Sequence, residues 1–82
     1  MEKILYADDD PQIQEIIREI LSKEGFQVLI AKDGQEALHM AQAEKPDLLI
    51  LDFLMPGLTG DQVCADLKKD AATKNIPIIM AT

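Results

Sequence analysis

Three consecutive aspartates, Asp8, Asp9 and Asp10, close the apolar run Ile4-Leu5-Tyr6-Ala7, and a fourth, Asp52, closes the run Leu48-Leu49-Ile50-Leu51. A strand that ends in acid sets its carboxylates at the rim of a sheet. Two such strands side by side would gather several negative charges within a few ångströms, which is unfavourable unless a cation or a proton joins them. Magnesium suits such a group. It is a hard cation that takes oxygen ligands at about 2.0–2.1 Å, keeps several waters and commonly joins carboxylates to a phosphate. The spacings G-x-x-x-x-G-K-[ST] and G-x-G-x-x-G are both absent, so a nucleotide cradle of either type is unsupported. What remains is metal-assisted phosphoryl chemistry in which a carboxylate is itself the nucleophile.

The elements that must position these acids alternate in type. Ile4 to Ala7 is a continuous apolar run, as in a strand buried on both faces. Asp10-Pro11 reads as a helix N-cap followed by proline at the first helical position. Ile13, Ile16, Ile17, Ile20 and Leu21 follow at spacings of three and four, an amphipathic helical stripe that Gly25 terminates. Val28 to Ala31 is the second strand. Asp33 and Glu36 have capping-box spacing and open a helix with Ala37, Leu38 and Ala41 inward, which stops before Pro46. Leu48 to Leu51 is the third strand, and Met55-Pro56-Gly57 is a loop. Thr59 and Gln62 open a third helix carrying Val63 and Leu67 inward. Ile76 to Ala81 is the fourth strand, with Pro77 near its start.

The order β-α-β-α-β-α-β implies an α/β fold, a doubly wound parallel sheet with right-handed crossovers and helices on both faces. In such sheets ligands bind at the carboxyl ends of the strands, where the strand order reverses. If the first and third strands are neighbours, Asp8, Asp9, Asp10 and Asp52 converge there.

Size and charge narrow the function further. The chain has 82 residues, 48% hydrophobic and 28% charged, with a formal net charge of −7. That is one small globular domain, and its acidity disfavours nucleic acid. The basic grouping Lys68, Lys69 and Lys74 fits a helix C-terminus, and Tyr6, Phe26 and Phe53 form no stacking platform. No stretch approaches the ~20 apolar residues of a membrane span and no leader opens the chain, so a cytoplasmic location is expected. Cys64 alone makes no disulfide, and with His39 it makes no zinc set. Cys64 is expected in helix packing, His39 on a helix surface, and Met40 and Met80 in the core.

Ile4 to Pro11, then Leu49-Ile50-Leu51-Asp52-Phe53-Leu54-Met55-Pro56-Gly57 with Gly60, then Pro77 to Thr82 together resemble the receiver domain of two-component response regulators. The resemblance runs the length of the chain in order and spacing. It implies the flavodoxin-like, receiver-like fold over residues 1–82, truncated before a fifth strand, so that the chain covers roughly the first two-thirds of a domain. It also implies a phosphoacceptor, Asp52, served by a phosphohistidine of a sensor histidine kinase or phosphotransfer protein, with Mg2+ as cofactor. Asp8 and Asp9 match the family's metal-holding acids, Asp9 directly and Asp8 through water. Leu54 would add its backbone carbonyl, and Thr82 matches the hydroxyl residue that binds the phosphoryl group and transmits the switch. Such a domain assists its own phosphorylation without being a turnover enzyme.

The family's phosphoryl-binding lysine falls in the part beyond Thr82, and neither Lys3, at the far end of the first strand, nor Lys32, after an outer strand, replaces it. An alternative is therefore a module that keeps the fold and interactions without phosphorylation. A second is an aspartyl-nucleophile phosphatase, since Asp8 and Asp10 form an Asp-x-Asp as in haloacid dehalogenase-like hydrolases, although Pro11-Gln12 departs from that motif. The fourth strand is expected to be a bare apolar edge of Ile76, Ile78, Ile79 and Met80, favouring a homo-oligomer through that edge or by exchange of elements.

Overall fold

The computed structural model describes residues 2–52, 55 and 57–81. β1 (Lys3–Ala7), α1 (Pro11–Lys23), β2 (Gln27–Ala31), α2 (Gly34–Glu44), β3 (Leu48–Asp52), α3 (Gly60–Lys69) and β4 (Ile78–Ala81) follow in strict alternation. The strands form one sheet in the order β2-β1-β3-β4, and every neighbouring pair is parallel. The chain steps from β1 out to β2, then returns across β1 to β3 and continues to β4. Right-handed crossovers in opposite directions put α1 on one face of the sheet and α2 and α3 on the other.

The helix ends follow from local chemistry. Asp10 caps α1 by accepting from the Gln12 N–H at 2.9 Å, with Pro11 at the first position. Gly25, at φ 92°, takes the left-handed turn after α1, a conformation that costs glycine little. Thr59 and Gln62 make a complete capping box on α3, with bonds of 3.3 and 3.0 Å. On α2 only half of the expected box forms. Asp33 accepts from the Glu36 N–H at 2.8 Å, but the Glu36 carboxylate accepts from the Lys32 N–H at 3.0 Å. Lys45, at φ 47°, ends α2 ahead of Pro46.

The core lies between the sheet and the α2/α3 layer. Leu5, Ala7, Leu49 and Leu51 from β1 and β3 meet Ala37, Ala41, Val63 and Leu67 from the helices, and Met55 joins them. Met40, Leu38 and Met80 pack against this cluster while partly buried. Met55 therefore does more than shape a loop. Thr73 is fully buried and donates its hydroxyl to the Leu67 carbonyl at 2.8 Å, tying the segment after α3 to the helix end.

The apolar stripe of α1 forms as its spacing implies. α1 packs on β1 and β2, with Ile17 and Leu21 half-buried, while Ile13, Ile16 and Ile20 are 37%, 52% and 53% exposed. Two sequence expectations about β4 are corrected. β4 starts at Ile78 rather than Ile76, because the Ile76 N–H bonds the Thr73 carbonyl at 3.0 Å and Pro77 has no N–H to donate. The edge is also less bare than expected. Ile76 is buried and Ile78 and Met80 pack on the core, leaving Ile79, at 52%, as the exposed large side chain of β4.

Gly34 is a sharp test of how the layers fit. A Cβ there would strike the Leu58 carbonyl oxygen and lie 2.9 Å from the Leu58 carbonyl carbon. Gly34→Ala should lower stability by about 1–3 kcal/mol or more, the cost of overpacking. That loss would appear although alanine gains about 1 kcal/mol over glycine in a helix. Chemical denaturation checks it, and an unchanged midpoint would show that the Leu58 loop yields without cost.

Candidate functional site

The register of the central strands brings the acids together. Ala7 pairs with Leu51 in the β1/β3 ladder, so Asp8 and Asp52 leave the sheet side by side at its carboxyl edge. Asp8, Asp9 and Asp52 each place a carboxylate oxygen within 4.8 Å of the other two. Asp8 is buried, 7% exposed. Asp52 is half-buried and Asp9 exposed, so the group opens to solvent on one side.

Asp8 is held by several hydrogen bonds. Its Oδ2 accepts from the Tyr6 hydroxyl at 2.8 Å, and its Oδ1 from the Asp10 N–H at 3.0 Å. The Gln14 side-chain amide donates to the Asp8 carbonyl at 2.6 Å, and the Asp8 N–H continues the ladder to Ala31 O at 3.1 Å. Asp10 is occupied differently, its carboxylate capping α1. The triplet thus divides into Asp8 and Asp9, which join Asp52, and Asp10, which begins the helix.

Magnitudes indicate what the site requires. Two carboxylates separated by roughly 5 Å repel by about 3 kcal/mol at an effective dielectric constant near 20. A hydrogen bond to a charged group returns about 1.5–3 kcal/mol. The two donors on Asp8 offset its own desolvation, and repulsion among the three acids is a separate cost. A hard divalent cation relieves it, and an all-oxygen donor set with one solvent-facing side fits an ion that keeps part of its water. The Tyr6 phenol feels the same field. Burial raises its pKa most, followed by its bond to Asp8 and then by the charges of Asp8, Asp52 and Asp10.

Of the residues singled out from sequence, Asp8, Asp9 and Asp52 are brought together, while Leu54 and Thr82 lie outside the described residues. Lys3 sits at the opposite end of β1, where its ammonium group meets Glu44 at 3.4 Å and its N–H donates to Asp47 at 2.8 Å. Lys32 is exposed after β2, the outer strand of the sheet. His39 is exposed on α2 and Cys64 half-buried on α3. Sequence reasoning missed Tyr6 and Gln14. Tyr6 carried a usable signal, because strand residues two apart share a face and its hydroxyl reaches the acid that ends the strand.

This geometry agrees with the comparisons. Residues 4–82 match the response regulator receiver domain model. The chain belongs to that family. It is 43% identical over 82 residues to protein PilH of Pseudomonas aeruginosa, covering all of this chain and 68% of PilH. It is 44% identical over 81 residues to the probable transcriptional regulator ycf27 of Guillardia theta, covering 99% of this chain and 31% of that protein. The chain thus spans about a third of the ycf27 regulator and two-thirds of PilH. Among solved structures, the N-terminal domain of a response regulator receiver protein from Methanoculleus marisnigri JR1 superposes with a TM-score of 0.95 at 34% identity. That match covers all of this chain and 67% of the other. The receiver domain of the sensor histidine kinase PA1611 from Pseudomonas aeruginosa PAO1, described with a magnesium ion coordinated in its active-site cleft, gives a TM-score of 0.94 at 27% identity. It covers 99% of this chain and 66% of the other. The receiver fold is therefore shown in sequence and in structure. Among the described residues no helix is long and apolar enough to cross a membrane.

The raised Tyr6 pKa gives a pH prediction. Unfolded tyrosine ionises near pH 10, and the folded phenol only above that. Its contribution to stability is complete below about pH 10 and is lost as pH rises beyond it. In an alkaline titration, phenolate absorbance should stay absent through pH 10 and appear together with loss of the far-ultraviolet helix signal. Phenolate formation near pH 10 in the folded protein would contradict the buried hydrogen bond.

Proposed function

We propose that residues 1–82 form a phosphoacceptor of two-component signal transduction, in which Asp52 takes a phosphoryl group from a phosphohistidine of a sensor histidine kinase or phosphotransfer protein. The observation that carries this reading is the convergence of Asp8, Asp9 and Asp52 at the reversal point of the sheet, in a chain that matches the receiver family. A carboxylate is already a nucleophile and needs no base to deprotonate it. An Asp52 oxygen attacks phosphorus, forming a P–O bond. The P–N bond of the phosphohistidine breaks, and its electron pair returns to the imidazole ring.

Magnesium held by Asp8, Asp9, Asp52 and the Leu54 backbone carbonyl would supply charge neutralisation for the phosphoryl oxygens. Asp8, fixed by its two donors, and Asp9, facing solvent, keep that charge beside the nucleophile. Thr82 is assigned the switch hydroxyl on the family pattern. The product is an acyl phosphate that alters partner contacts, so the domain acts as a signalling module and not as a turnover enzyme. We place it in the cytoplasm, without nucleic-acid contacts of its own because the chain carries a net charge of −7. Self-association through β4 also belongs to this reading, since β4 lies at an edge of the sheet and exposes Ile79.

Incubation with acetyl phosphate and magnesium, followed by intact mass, tests the chemistry. The expected result is a gain of one phosphoryl group, lost with Asp52→Asn and on chelation of the metal. No gain would instead favour a fold-retaining interaction module, and continuous phosphate release from unrelated esters an aspartyl phosphatase. For self-association, light scattering at micromolar concentration should give a mass above the monomer, reduced by Ile79→Lys. A monomeric mass would remove that part of the reading.

A further inference from the structure

Among the described residues, the Tyr6 hydroxyl is one of two protein donors to the carboxylate of Asp8, and it comes from a side chain that is only 6% exposed. The ring cannot move away without opening the β1 layer. An ionised carboxylate offers about four acceptor positions. Tyr6 takes one on Oδ2 and the Asp10 N–H one on Oδ1, so the plane of the group is set at both ends. A carboxylate so held keeps acceptor capacity that an ion or its water can use.

We propose that Tyr6 is a positioning residue for the divalent cation. Its hydroxyl fixes the Asp8 carboxylate in the orientation that completes the oxygen set with Asp9 and Asp52. This inference rests on the metal-site reading above. A hydroxyl that orients an acidic ligand from behind acts on affinity through geometry. Loss of such a partner characteristically weakens metal binding by 10–100-fold. Phenylalanine keeps the ring and its packing and removes the one bond at issue.

Two measurements test the proposal. In calorimetric titration with magnesium, Tyr6→Phe should bind about tenfold more weakly than the wild type, with an unchanged far-ultraviolet circular dichroism spectrum. Equal or tighter binding by the variant would overturn the role of Tyr6 while leaving the metal site standing. Absence of magnesium binding by the wild type would overturn both. The second measurement needs no variant and stands even if Tyr6→Phe folds poorly. The chain has one tyrosine and no tryptophan, so its ultraviolet emission reports on Tyr6 alone. Tyrosine emission is sensitive to a carboxylate partner, and a cation held at Asp8 changes the field at the Tyr6 hydroxyl. Wild-type emission should therefore change with magnesium and half-saturate at the concentration found by calorimetry, and Asp8→Asn should abolish the response. Emission that stays flat while magnesium saturates the site would mean that the Tyr6–Asp8 bond is not coupled to the ion.

Discussion

Repulsion among carboxylates that the sheet itself forces together is the constraint on which the rest of this structure depends. Parallel pairing of β1 with β3 fixes Ala7 opposite Leu51, and the next residue on each strand is an aspartate. The same hydrogen-bond ladder that satisfies the backbone of two buried strands thus delivers Asp8 and Asp52 to one edge, with Asp9 beside them. Separating the acids would require a change of register, which in a strand buried on both faces would move every side chain into the wrong layer. The fold accepts the repulsion because the apolar interior of Leu5, Leu49 and Leu51 leaves no other register.

The surroundings of the cluster moderate that repulsion without removing it. Tyr6 and the Asp10 N–H hold Asp8, and Gln14 reaches back from α1 to the Asp8 carbonyl. The amino end of α1 lies beside the acids, and the positive end of its dipole favours negative charge there. Asp10 belongs to that helix end. Its carboxylate serves the Gln12 N–H, which gives the third aspartate a local task. Among the described residues, every buried side-chain nitrogen or oxygen has a hydrogen-bond partner. The rim gathers three carboxylates, and a divalent cation recognises such a concentration of negative charge.

Much of this was legible in the sequence because it depends on short-range chemistry. Asp10-Pro11, Thr59 with Gln62, and Gly25 announce helix ends through bonds made within a few residues. Apolar runs closed by acids announce the strands. Legibility failed where a neighbour distant in sequence decides the outcome. The α1 stripe has clear helical spacing, yet its exposure depends on what lies over it. Glu36 has the right spacing for a reciprocal cap but finds the Lys32 N–H instead. Ile76 reads as strand, and the turn bond to Thr73 takes its N–H away from the ladder. Met55 reads as loop and is core, because it joins the buried cluster that the sheet forms with α2 and α3.

The sequence by itself determined the alternation of elements, the positions of the acids at strand ends and the resemblance that points to phosphoryl transfer. These follow from hydrophobic periodicity and capping, which act over one turn or one strand. Only the tertiary structure decided that β1 and β3 are neighbours, that the oxygens of Asp8, Asp9 and Asp52 lie within 4.8 Å of one another, and that Tyr6 holds Asp8 from within the sheet. Those facts depend on strand order and register, which are set by how whole layers pack across more than forty residues of intervening chain between Asp8 and Asp52.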